Sequence, residues 1–145
     1  MLKRLPVAAA IVALGCQTPQ WPVDGAISTP FGVQGGVLGN MHRGVDVAVP
    51  VGTPVRPILD SRVRFAGTMS GYGRVIWIDH DDDVLSLYAH LSEISVKAGQ
   101  EVGKATVIGK SGQSGNATGP HLHLEIWRWG REVDPIRLLG RSPGN

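Results

Sequence analysis

The chain has 145 residues, the size of one domain, with 20 glycines and 10 prolines but only 6% aromatic residues. At 42% hydrophobic and 18% charged residues its composition is that of a folded chain, which excludes general disorder. The formal charge of +2 includes Lys3 and Arg4; removing those two from the 14 basic residues leaves 12 against 12 acidic ones. A neutral domain without a Lys/Arg block has no field to attract nucleic acid, so a nucleic-acid partner is not expected.

Residues 1–15 read as an export signal: the basic start Lys3-Arg4 precedes an apolar stretch from Leu5 to Leu14 that is too short to span a membrane. The stretch ends in Ala13-Leu14-Gly15-Cys16, and Cys16 is the only cysteine. This resembles the lipobox of bacterial lipoproteins, in which cleavage before the cysteine exposes it for acylation. The alternative is an ordinary signal peptide with an incidental cysteine. The lipobox reading implies a membrane contact through an N-terminal lipid anchor on Cys16 and leaves no cysteine for a disulfide. Gln17, rather than Asp, follows Cys16. By the sorting rule of enterobacterial lipoproteins, that implies delivery to the outer membrane, facing the periplasm.

Residues 16–30, with three prolines between Thr18 and Pro30, predict an extended tether. The glycines between Phe31 and Gly44, Gly35-Gly36 among them, predict loops of close backbone approach. Val45, Val47 and Val49 alternate with other residues as a strand does, and Arg62–Ala66 alternates polar with apolar residues as a half-buried strand. Val75–Ile78, the acidic turn Asp79–Asp83 and Val84–His90 predict a hairpin, with His80 solvated at its tip. The acidic run lacks the glycine and glutamate spacing of a calcium loop. Thr106–Gly109 predicts a short strand, Ser111–Pro120 a loop, His121–Trp127 a clear alternating strand and Ile136–Leu139 a brief helix. Short strands joined by Gly/Pro turns, without long helical periodicity, predict an all-β fold. It is mainly antiparallel and sandwich- or barrel-like, with Gly-rich loops around a cleft. The expected domain runs over 31–139, with a tail over 140–145.

Four of the five histidines, His80 excepted, carry the chemistry. Residues two apart on a strand face the same side, about 6.5 Å apart, so His121 and His123 point one way while Leu122 and Leu124 point the other. The leucines are expected in the core, the imidazoles in a cleft, and Glu125 lies on the histidine face. In His42-Arg43-Gly44-Val45-Asp46 the glycine and β-branched residues argue against helix. An imidazole and a carboxylate four apart can converge there through a bend at Gly44. With one imidazole of the His121/His123 pair they form a His₂Asp set, and three protein ligands with an open fourth position is the plan of a catalytic zinc site. There is no H-E-x-x-H helix. His90 ends its strand and enters the same cleft if that strand neighbours His121.

The segments H-R-G-V-D at 42–46, Y-A-H-L at 88–91 and G-P-H-L-H-L-E at 119–125, in this order, resemble the lysostaphin-type (LytM-domain) zinc metallopeptidases. The resemblance runs from about Phe31 to Pro135 and implies a LytM-like duplicated hybrid motif. It implies one Zn²⁺ on His42, Asp46 and His123, with His90 and His121 as catalytic histidines that do not bind the metal. Glu125 either fixes the tautomer of an imidazole or is an ordinary surface carboxylate. Family members mostly cut peptidoglycan, which implies a zinc endopeptidase acting on peptide cross-links such as D-alanyl–diaminopimelate. The second possibility is an idle LytM-domain lipoprotein that binds and activates cell-wall amidases. The segment before Phe31 is too short for an inhibitory domain; Asn40, beside His42, is the candidate for a short inhibitory strap.

Overall fold

The computed structural model describes residues 17–33 and 41–145. The predicted signal segment, Cys16, Gly35-Gly36 and Asn40 lie outside the described residues. Eleven strands and one short helix are present among those described. In chain order they are β1 (Ala26–Thr29), β2 (Val45–Ala48), β3 (Pro54–Val55), β4 (Ser61–Met69), β5 (Gly73–Asp79), β6 (Val84–Leu91), β7 (Glu93–Ile94), β8 (Glu101–Val102), β9 (Gly109–Lys110), β10 (Leu122–Arg128), β11 (Arg131–Val133) and α1 (Pro135–Leu139). The main antiparallel sheet runs β1-β2-β10-β6-β5-β4-β8, with β11 also paired to β10. A small sheet, β3-β9-β7, completes an almost all-β molecule.

The period of two divides the main sheet into two faces. One face carries Val45 and Val47 of β2, Ile76 and Ile78 of β5, Tyr88 of β6, and Leu122, Leu124 and Ile126 of β10, all buried. They pack with Val55, Ile58 and Ile108. Each fully buried aliphatic side chain here contributes about 1.5–3 kcal/mol of apolar burial. The other face carries Val75, Leu87 and Ala89 in a smaller cluster with Met69, Tyr72 and Trp77. On that second face β2 presents Asp46, and β10 presents His123 and Glu125. The register sets His123 directly opposite Asp46 on one side and Ala89 on the other.

The helix forms where expected: Asp134 caps it by accepting a hydrogen bond from Ile136 N, and Pro135 opens the first turn. Several expectations are corrected. The segment read as a tether is part of the domain. Its β1 pairs with β2, and Val23 lies in the core with Trp21 and Ile27 against it. The segment read as a tail is also packed: Trp21 Nε1 donates to Arg141 O, Ile27 N donates to Asn145 Oδ1, and Ser142 is buried with its hydroxyl on Gly25 O. Prolines interrupt regular pairing near residue 20 without preventing burial. The strand expected at Thr106–Gly109 is reduced to Gly109–Lys110, because Thr106 closes a turn with Gly103 through both its backbone and its hydroxyl.

His80 is not solvated. Its Nδ1 lies 2.5 Å from Ser61 Oγ and its Nε2 lies 2.7 Å from Ser86 Oγ, which is joined to the Tyr88 hydroxyl. Burial pushes its pKa down to about 4. The hairpin tip is acidic and exposed, but the start of β4 folds over the histidine beside it.

Candidate metal centre

His42 stands just before β2, and Asp46 is the second residue of that strand. Between them Gly44 does more than permit a bend. It approaches β10 so closely that a Cβ there would overlap the carbonyl oxygen of Leu124. The close approach seats β2 on β10 and brings Asp46 to His123. His42 Nε2 lies 3.3 Å from Asp46 Oδ1, and His123 Nδ1 lies 2.8 Å from the same oxygen. One ligand atom from each of His42, Asp46 and His123 lies within 4.8 Å of the others, a group that can hold a metal ion.

Hydrogen bonding fixes which ring nitrogen is free. His42 Nδ1 donates to Pro30 O at 3.0 Å, because a carbonyl can only accept. Its Nε2 therefore turns a lone pair toward Asp46. His123 stands between two carboxylates, with Nε2 on Glu125 Oε1 at 2.9 Å and Nδ1 on Asp46 Oδ1 at 2.8 Å; with Glu125 accepting from Nε2, Nδ1 is the nitrogen that a cation beside Asp46 would take. Two imidazole lone pairs and a carboxylate thus face one another, and such a donor set is stable only with a positive charge among them. Without a metal that charge is a proton. Burial disfavours the His123 imidazolium, but Asp46 and Glu125 on its two ring nitrogens outweigh burial and hold its pKa at about 9. Burial likewise opposes the Asp46 anion, and the hydrogen bond from the protonated His123 reverses the effect and lowers its pKa. A bound Zn²⁺ would replace the proton, and two nitrogens with one carboxylate oxygen suit zinc.

Glu125 is buried beneath His123. Besides His123 it accepts from Tyr72 Oη at 2.8 Å and from Trp127 Nε1 at 2.7 Å. Burial raises its pKa, and the hydrogen bond and charge of His123 overcome this and lower it. It is not a surface carboxylate. Burial and the neighbouring Glu125 anion push the Tyr72 phenol up to about 12, so it remains a donor.

The other two histidines stand beside the group. His90 and His121 have ring centroids 4.9 Å apart. His90 Nδ1 donates to Ser114 O at 2.7 Å and His121 Nδ1 donates to Gly119 O at 2.9 Å, so both leave Nε2 unprotonated. His121 Nε2 lies 3.5 Å from Asp46 Oδ1. Burial lowers the pKa of His90. The two carbonyls belong to the Ser111–Pro120 loop. That loop is held against the Gly71–Gly73 turn, with no room for a Cβ at Gly73 or Gly115.

The structure therefore gathers all five sequence-predicted site residues, with Glu125 beneath them. They line an open groove of about 820 Å³ with Thr29, Arg43, Tyr72, Asn116 and Thr118. Period two would turn His90 to the core beside Tyr88. It reaches the groove because the β5–β6 register shifts between Arg74 and Ile76 and His90 takes a φ of 59°. Sequence reasoning missed Tyr72, Trp127 and Arg43. Trp127 follows from the face shared with His123 and Glu125, whereas Tyr72 sits in a turn that carries no such signal.

The model of peptidase family M23 matches residues 40–135. The chain belongs to peptidase family M23. Among curated M23-like relatives, the DD-carboxypeptidase/endopeptidase Mpg of Neisseria meningitidis serogroup B is 41% identical over 120 residues, covering 81% of this chain and 28% of Mpg. The murein hydrolase activator NlpD of Salmonella dublin is 39% identical over 121 residues, covering 83% of this chain and 31% of NlpD. The chain thus spans less than a third of each of these relatives. A zinc-containing peptidase from Vibrio cholerae superposes with a TM-score of 0.77 at 32% identity, covering 88% of this chain and 41% of that one. These matches place an M23 domain around the five-residue group. Among the described residues no helix is long and apolar enough to cross a membrane.

Proposed function

We propose that the protein is an exported zinc endopeptidase that hydrolyses peptide cross-links of bacterial peptidoglycan, at the D-alanyl–diaminopimelate bond. The observation that carries this is the pairing of a His42–Asp46–His123 donor set with two imidazoles whose Nε2 atoms are free. Zinc, when bound by His42 Nε2, Asp46 Oδ1 and His123 Nδ1, supplies Lewis acidity to the scissile carbonyl and acidifies water.

The chain's own groups do the rest. His121 Nε2 takes the proton from the attacking water and delivers it to the leaving amine. Asp46 Oδ1 lies 3.5 Å from that nitrogen. His90 is less able to hold a proton, since burial lowers its pKa. Its Nε2 accepts a hydrogen bond and aims the water. Glu125 keeps His123 in the tautomer that presents Nδ1, and is itself held by Tyr72 and Trp127. The open groove admits an extended peptide, and the name of Mpg, which joins carboxypeptidase and endopeptidase activities, is consistent with such a substrate.

The test is digestion of cross-linked muropeptides by purified zinc-loaded protein. Release of monomers is expected, and their absence with zinc bound refutes the reading. The similarity to NlpD favours a second reading, a module that binds and activates a cell-wall amidase. That reading requires stimulation of an amidase by a protein that cuts nothing alone. The retained five-residue group favours the enzyme. We further propose that residues 1–15 direct export and that Cys16 carries a lipid anchor in the outer membrane. Palmitate labelling of the wild type but not of Cys16→Ala tests the anchor.

A further inference from the structure

The charges along the groove are unequal in their commitments. Asp46 is engaged by imidazoles, and Glu125 by three donors. Among the described residues that line the groove, Arg43 is the sole lysine or arginine. It directly follows His42, and its side chain is 60% exposed. Its guanidinium sits beside the Tyr72 hydroxyl, with the acidic partner Glu132 3.6 Å from Nε on one edge only. That separation is beyond a hydrogen bond, so the fork of donors remains available to an incoming anion. A guanidinium suits a carboxylate because its parallel N–H groups match the two oxygens.

We propose that Arg43 is a specificity-determining residue, pairing with a free carboxylate borne by the amine-side residue of the scissile bond. The proposal rests on the peptidase reading above and names the substrate class more narrowly. In a D-alanyl–diaminopimelate cross-link the nitrogen released on hydrolysis is attached to a carbon that carries a free carboxylate. The acyl-side alanine carries only a methyl group. The one anion adjacent to the reacting amide is therefore on the amine side, and Arg43 is one residue from the centre that must hold that amide's carbonyl. The selected class is a peptide cut next to a free α-carboxylate, not any internal amide.

The test compares a cross-linked muropeptide dimer bearing that carboxylate with the same dimer bearing a carboxamide. Binding of both is measured by calorimetry to zinc-loaded His121→Ala protein with and without Arg43→Gln, and cleavage is measured in the wild type and Arg43→Gln. With Arg43 present the acid is expected to bind and react about 10–100-fold better than the amide, the range of a charged hydrogen-bonded pair. Arg43→Gln is expected to bring the ratio near one, and Arg43→Lys to restore part of it. Zinc content and thermal midpoint, read alongside, are expected to be unchanged. Equal binding of acid and amide with Arg43 in place overturns the proposal, whatever the cleavage result. Selective binding without cleavage by the wild type retains the role of Arg43 and removes the endopeptidase reading instead.

Discussion

Replacing Glu125 by Gln keeps the size of the side chain and removes its charge. The carboxylate now accepts from three donors, Tyr72 Oη, His123 Nε2 and Trp127 Nε1, at 2.8, 2.9 and 2.7 Å. A carboxamide has one accepting oxygen. If that oxygen occupies the Oε1 position it serves Tyr72 and His123, and its NH₂ group then meets Trp127 donor to donor. One buried donor is left unpaired, at a cost of about 1–3 kcal/mol in stability. The hydrogen bond to His123 also loses its charge assistance, so the Nδ1-free tautomer is less enforced. Loss of such a partner typically weakens metal binding about 10–100-fold, or about 1.4–2.8 kcal/mol. Zinc affinity measured by competition with a chromophoric chelator, beside a thermal melt of the metal-free protein, reads both effects. A folded Glu125→Gln protein whose zinc Kd stays within about twofold of the wild type would show that Glu125 does not order His123 for the metal, against an expected change of at least about tenfold.

Three further outcomes are expected. His123→Ala should lose zinc, whereas His121→Ala should keep zinc and lose about 10²–10⁴-fold in cleavage rate, read by metal analysis and muropeptide release; full activity in both would refute the site assignment. Gly44→Ala should destabilise the fold by about 1–3 kcal/mol, because its methyl meets the Leu124 carbonyl on the neighbouring strand; an unchanged denaturant midpoint would refute that packing. His80 has its folded pKa depressed from 6.5 to about 4 by burial. The unfolded chain therefore binds the extra proton between those values. The stability that neutral His80 contributes is full above about pH 6.5 and is lost as pH falls toward 4, by up to about 3 kcal/mol. His80→Asn should flatten that part of the wild-type denaturation profile, and an identical slope would count against its burial.

Much of the centre is legible from residue types because strand geometry is regular. Along β10 and His121 just before it, the period of two alone makes His121, His123 and Glu125 co-facial and buries Leu122 and Leu124, and the structure keeps that arrangement. The hairpin of β5 and β6 and the capped turn of α1 were readable for the same local reason. The environment of His80 was not: its own neighbours are acidic and turn-forming, and the serine that covers it comes from β4. Nor was the state of residues 17–30, where prolines mask an edge strand that forms only by pairing with β2.

The sequence by itself determined an all-β chain with its chemistry in three short segments, and it named His42, Asp46, His90, His121 and His123. Local backbone period and side-chain chemistry point to these residues, and the resemblance of the three segments to the lysostaphin-type peptidases divides them into ligands and catalytic histidines. Only the tertiary structure decided how those segments meet. Gly44 lets β2 close on β10, a register shift with His90 at φ 59° turns that imidazole out of the core, and loop carbonyls from Pro30, Ser114 and Gly119 fix three tautomers. Glu125 likewise gains its third donor from Tyr72, which arrives from a turn distant in sequence. Each of these depends on contacts between residues far apart along the chain, and a local pattern carries no record of them.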